Sequence, residues 1–190
     1  MMPRVGLDLD TILQAAAELV DAEGLDTLTL ATLAQKLGIR SPSLYNHVNG
    51  LPGLRHELTL HGLNRLGAVM RGAVQDMKRD EAIRALAHAY LEFARKHPGL
   101  YVLTQRVMDR ADLQIQQAAG SIASIPIEVL REYGLDNELS IHLVRGLRSL
   151  MHGFASIEQQ GGFGMPIDLN VSFQLMVDTF LAGIHAHTSK

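Results

Sequence analysis

Apolar residues recur along this chain at the spacing of an α-helix almost from end to end. No stretch alternates with the period of two that a half-buried strand requires. That pattern, more than any other, limits what the chain can fold into: the expected class is all-α. The first helix is expected over residues 11–23, where Ile12, Ala16, Leu19 and Val20 fall on one face, with Asp10 as N-cap and Gly24 as stop. A second, short helix is expected over residues 30–37, with Thr29 as its cap and Gly38 as its end. A third starts at Ser41-Pro42, a serine cap followed by a first-turn proline, and runs to Val48. Asn49-Gly50-Leu51-Pro52-Gly53 reads as a turn.

Longer helices are expected beyond it, over residues 54–77, 81–96, 137–159 and 168–186, with shorter pieces over 100–107 and over 111–133, the last interrupted by Pro126. The expected division is a helix-turn-helix domain over residues 1–53 and a helical effector-binding and dimerisation domain over 54–190.

Charge is distributed unevenly over the first part. Residues 8–26 carry six acids and no base, whereas residues 29–55 carry Lys36, Arg40, Arg55 and His47 and no acid, in a chain with 20 carboxylates and net charge −3. A surface that approaches a polyanion must avoid carboxylates. Two short helices joined by a glycine-containing turn form a helix-turn-helix pattern, and the second helix of such a pair lies in the major groove. Leu30, Leu33, Ala34 and Leu37 supply the buried face of the first member, and Ile39, Leu44 and Val48 clamp the second to it. The candidate DNA contacts are therefore Thr29, Arg40, Ser41, Pro42, Ser43, Tyr45, Asn46 and His47. Ser43 and Asn46 suit base edges, while tyrosine and histidine can hydrogen-bond phosphate oxygens.

These residues also carry a family likeness. Ile12, Ala15-Ala16, Leu19, Gly24, Thr29, Leu33-Ala34, Leu37-Gly38-Ile39 and Pro42-Ser43-Leu44-Tyr45-Asn46-His47-Val48 resemble the N-terminal domain of the TetR family of transcriptional regulators. The resemblance implies that Thr29 and the first turn of the third helix touch the operator and that Tyr45 and His47 hold the phosphate backbone. Members usually place a lysine after this helix, where Leu51 stands here. Each phosphate contact contributes about 0.9 to the slope of log affinity on log salt, so a slope shallower than roughly −8 is expected. Ala94-Arg95-Lys96-His97-Pro98-Gly99-Leu100-Tyr101, Leu150-Met151-His152-Gly153-Phe154 and Gly161-Gly162-Phe163-Gly164 resemble the C-terminal domain of a TetR subgroup named for a Trp-His-Gly motif, with Met151 at the tryptophan position.

Expected partners follow from these readings: double-stranded operator DNA, a second copy of the chain, and a small-molecule effector of unknown identity. The last two helices are apolar on more than one side, as helices sandwiched between a core and a partner are. Gly146, Leu150, Gly153, Phe173, Val177, Phe180 and Ile184 are the expected dimer interface, giving a two-fold symmetric reader. Tyr90, Phe93, Tyr101, Met108, Met151, His152 and Phe154 combine aromatic, thioether and hydrogen-bonding groups, as effector pockets do.

Other classes fit less well. There are no cysteines, which removes disulfides and thiol chemistry. The nine histidines suggest a metal-responsive regulator as the alternative. However, His185 and His187 diverge on a helix, His56 and His61 are five apart, and His97 beside Pro98 reads as a helix C-terminal residue interacting with the dipole. No metal or cofactor is expected. A helical enzyme is the remaining alternative, but no nucleophile elbow or phosphate loop is present, and Gly161-Gly162-Phe163-Gly164 follows a helix, not a strand. No apolar run is long enough to span a bilayer, and a cytoplasmic protein is expected.

Overall fold

The computed structural model describes residues 7–105 and 111–188, and among these there is no strand. Eight α-helices follow one another: α1 (Leu9–Glu23), α2 (Leu30–Leu37), α3 (Gly50–Val74), α4 (Arg79–Lys96), α5 (Pro98–Gln105), α6 (Leu113–Arg131), α7 (Asn137–Gln159) and α8 (Leu169–Thr188). Two 3-10 segments, Leu25–Thr27 and Ser41–Asn46, lie on either side of α2. The chain forms two compact units, one from Met1–Asn64 and Lys96–Gln116, the other from Arg65–Arg95 and Gln117–Lys190.

In the first unit α1 packs against both α2 and α5. Ile12, Ala16, Leu33, Leu44, Leu54 and Leu58 are fully enclosed, each large aliphatic side chain contributing about 1.5–3 kcal/mol by leaving water. Helix α1 starts two residues before the expected point: Asp8, not Asp10, is the N-cap, accepting the Thr11 amide at 2.8 Å. Asp10 sits in the first turn instead, where its charge still favours the helix dipole. Of the expected turn at residues 49–53, residues 50–53 are in fact the opening of α3. Gly50 takes the left-handed φ of +66°, and Pro52 falls in the first turn, where a missing N–H leaves no bond unmade.

In the second unit Ile83, Leu86, Leu130, Leu147, Phe173, Val177 and Ile184 are fully buried, and α7 packs on α8. Polar clamps surround that core. Arg95 grips Glu158 with two bonds of 2.8 and 2.9 Å, Arg84 donates to Asp178 at 2.9 Å, and the Tyr133 hydroxyl donates to Asp80 at 2.8 Å. Pro126 does not interrupt α6, which continues through it. An interior proline removes one helix bond at a cost of about 3 kcal/mol, and burial of Ile125, Val129 and Leu130 on the same helix offsets it.

Candidate nucleic-acid interface

Local sequence sets the geometry of α2 and the segment that follows it. Thr29 caps α2 in a reciprocal box: its hydroxyl accepts the Thr32 amide at 3.0 Å, while the Thr32 hydroxyl accepts the Thr29 amide at 3.0 Å. Gly38 ends the helix in the left-handed region at φ +66°, a conformation that costs glycine little. The Ile39 amide returns to the Ala34 carbonyl at 3.0 Å. The chain is thereby turned within three residues, and Leu33, Ala34, Leu44 and Val48 are buried as the clamp between the two members.

The second member differs from the expected α-helix. Ser41–Asn46 is a 3-10 helix, opened by the Ser43 amide bonding the Arg40 carbonyl at 2.9 Å and closed by the His47 amide bonding the Leu44 carbonyl at 2.9 Å. With a rise of about 2.0 Å per residue, six residues reach about 12 Å instead of about 9 Å. Residues three apart eclipse in this geometry. Ser41, Leu44 and His47 therefore share the inner side, and Leu44 is buried with the other two half-buried. Pro42 and Tyr45 form the outer stripe, and Tyr45 is 62% exposed. Asn46 is exposed beside half-buried Ser43, and Arg40 and Thr29 are exposed. The candidate DNA contacts thus gather on one short segment and the α2 cap, although the Thr29 hydroxyl is already engaged in its capping box.

Electrostatics accompany this geometry. Lys36 does not face outward as a lone cation: it pairs with Glu18 of α1 at 3.1 Å. Bonds from Gln14, then from Lys36, hold the Glu18 carboxyl below its ordinary value. Bonds from Thr11 do the same for Asp8, with a smaller contribution from the charge of His47. Asp8 and Glu18 are therefore engaged by a cap and a pair within this unit.

The other candidate residues separate. Tyr90, Phe93, Met151 and Phe154 are buried in the second unit and His152 is half-buried there, whereas Tyr101 is buried on α5 in the first unit. Met108 lies outside the described residues. Burial, then the charge of Arg148, pushes His152 below its ordinary value. An aromatic line that sequence reasoning missed runs through Phe154, whose ring lies 4.8 Å from Phe163 and 4.9 Å from Phe173, with His88 5.6 Å beyond Phe173.

Three of the seven residues expected at the dimer interface need correction. Phe173, Val177 and Ile184 are fully buried within the protomer and so present nothing to a partner. Gly146 is exposed, with the Phe180 ring of its own chain 3.4 Å from where a Cβ would stand. Leu150, Gly153 and Phe180 are half-buried. The outward side of α8 is the opposite one: Val171 and Leu175 are 53% and 62% exposed, and Ala182 and Ala186 are exposed with them. Among the described residues no group of three or more histidines and carboxylates is placed to hold a metal, and no helix is long and apolar enough to cross a membrane.

Comparison with known proteins agrees with this architecture. Residues 83–180 match the family described as tetracyclin repressor-like, C-terminal domain. The chain is 39% identical over 185 residues to YobS, an uncharacterized HTH-type transcriptional regulator of Bacillus subtilis, covering 97% of this chain and 96% of that one. It is 33% identical over 184 residues to an uncharacterized HTH-type transcriptional regulator of Mycobacterium tuberculosis, covering 96% of this chain and 84% of the relative. In fold it matches a protein with unknown function from Rhodococcus sp. RHA1 with a TM-score of 0.83 at 22% identity, over 96% of this chain and 98% of that one. With the helix-turn-helix formed by α2 and the Ser41–Asn46 segment, these relationships establish that the chain belongs to the TetR family of transcriptional regulators.

Proposed function

We propose that this regulator is a ligand-responsive repressor that binds a palindromic operator as a homodimer, with residues 1–53 reading DNA and residues 54–190 carrying effector binding and dimerisation. The observation that carries this reading is the exposed Pro42–Tyr45 stripe on a stretch, residues 29–55, without one carboxylate. Ser43 and Asn46 flank that stripe and suit base edges, while Arg40, Tyr45 and His47 suit phosphate oxygens. With Lys36 engaged by Glu18, few cations are available, so neutral hydrogen bonds and half-site geometry supply most of the specificity. The exposed side of α8 supports pairing with a second copy, because an isologous interface needs one apolar patch that complements itself. An effector in the second unit, beside Tyr90, Phe93, Met151, His152 and Phe154, releases DNA only by binding the DNA-free conformation more tightly.

Selection of bound duplexes from a random pool tests this. A palindromic consensus with half-sites about one helical turn or a multiple apart is the expected result. An absence of enrichment, or a consensus with a single half-site, refutes the symmetric reader.

A further inference from the structure

Two aspartates in the first unit are used in the same way. Asp21, near the end of α1, accepts the first-turn amide of Leu100 on α5 with Oδ1 at 2.9 Å and the Nδ1–H of His97 with Oδ2 at 2.8 Å. Asp112, at the start of α6, accepts the first-turn amide of Ile115 with Oδ1 at 3.1 Å and stands 2.8 Å from His56 Nε2 of α3 with Oδ2. Each carboxylate therefore spends one oxygen on a helix N-terminus and the other on a histidine. Both aspartate side chains are mostly covered, at 16% and 21% exposure, so water competes poorly for these bonds. His97, expected from sequence to serve only its own helix end, is instead a cross-helix donor.

Both links lie within the first unit: one ties α1 to α5, the other ties α3 to the start of α6. Helices α1 and α3 precede and follow the reading pair in sequence, and α2 packs on both α1 and the Ser41–Asn46 segment. We propose that Asp21–His97 and His56–Asp112 are positioning contacts for operator recognition: they hold α1 to α5 and α3 to the start of α6, and so fix the pose in which the Ser41–Asn46 segment meets DNA. This rests on the operator-binding reading above. The histidines act through the helices they tie, not by touching DNA. Cutting a link leaves the head folded but spreads it over several poses, and apparent affinity falls with the fraction still competent.

The test uses the full chain and the operator obtained by selection. His56→Ala and His97→Ala are each expected to weaken operator binding about fivefold, since a hydrogen bond to a charged group is lost from the competent pose. His56→Gln, which restores a donor at similar reach, is expected to recover most of that loss. A contact that merely adds stability would lower the melting temperature without changing affinity measured well below it. A second arm needs no DNA: hydrogen exchange at the Leu100 and Ile115 amides should be slow in the wild type, with Leu100 accelerating in His97→Ala and Ile115 in His56→Ala. Unchanged affinity in both alanine variants overturns the proposal, as does failure of glutamine to rescue, or exchange at both amides as fast as in an open chain. A wild type that selects no DNA refutes the operator reading itself, a result distinct from all of these.

Discussion

Gly99 is the position where the packing of the first unit is most exposed to a single methyl group. A Cβ built there would overlap the Val20 carbonyl of α1 and stand 2.9 Å from the Asp21 amide nitrogen. All of these are backbone atoms, so no side-chain rotation relieves the overlap. Carbon atoms in contact need about 3.5–4.0 Å, which requires α5 to withdraw from α1 by about 1 Å or more. Such a shift loosens the packing of buried Leu100, Tyr101 and Leu103 and stretches the bonds that Asp21 makes to Leu100 and His97. Overpacking of this kind costs about 1–3 kcal/mol, and a backbone-on-backbone clash belongs at the upper end. In a chain of this size about 3 kcal/mol lowers Tm by about 6–12 °C. Thermal unfolding of Gly99→Ala against wild type, at one protein concentration so that any association is held constant, reads the difference. Gly72→Ala is the internal contrast. Nothing lies within 4 Å of its Cβ position on α3, so removing a helix-interior glycine should raise stability by about 0.5–1 kcal/mol. A Gly99→Ala protein that melts within about 1 °C of wild type would show that α5 and α1 do not meet as described.

Three further outcomes are expected. Tyr45→Phe removes a hydroxyl from an exposed ring and should weaken binding to cognate and scrambled duplexes alike by about 1–2 kcal/mol; a change in sequence preference on the selected pool would contradict a phosphate role. Leu175→Glu places a charge on the exposed side of α8 and should yield monomers in sedimentation equilibrium with the helix content intact, whereas an unchanged mass would remove α8 from the interface. Stability should fall as pH drops below 6.5. His152 is pushed below that value in the folded chain by burial and then by Arg148, so the unfolded chain takes up the proton first. Denaturant titrations of His152→Asn should show a flatter profile in that window, and an identical profile would mean that His152 is not the group responsible.

The helical class, the stops at Gly24 and Gly38 and the pairing of α2 with a second short segment were all legible in the residues, because each depends on near neighbours in the chain. Thr29 and Gly38 act as the caps their chemistry suggests. Other features were not legible at that range. The N-cap of α1 is Asp8 and not Asp10: either carboxylate can cap, and it is Asp8 whose own backbone is extended, at φ −117° and ψ 170°. The Ser41–Asn46 segment formed a 3-10 helix in place of the expected α-helix, with Leu44 the one of its six residues that is buried. Pro126 stayed inside α6, where neighbouring burial outweighs the bond its ring removes.

The order of residues suffices for an all-α chain, a carboxylate-free stretch over residues 29–55 and the small polar residue types that follow Gly38, since periodicity, capping chemistry and charge are properties of the residues in order. Only the tertiary structure decided which side of α8 is core, with Phe173, Val177 and Ile184 turned in and Val171 and Leu175 turned out. It alone also joined Asp21 to His97 across a gap of 76 residues and His56 to Asp112 across a shorter one. Helical periodicity gives the angle of a side chain about its own axis but not what stands across from it. Burial and hydrogen bonding belong to pairs of surfaces, and those pairs exist only once the helices have packed.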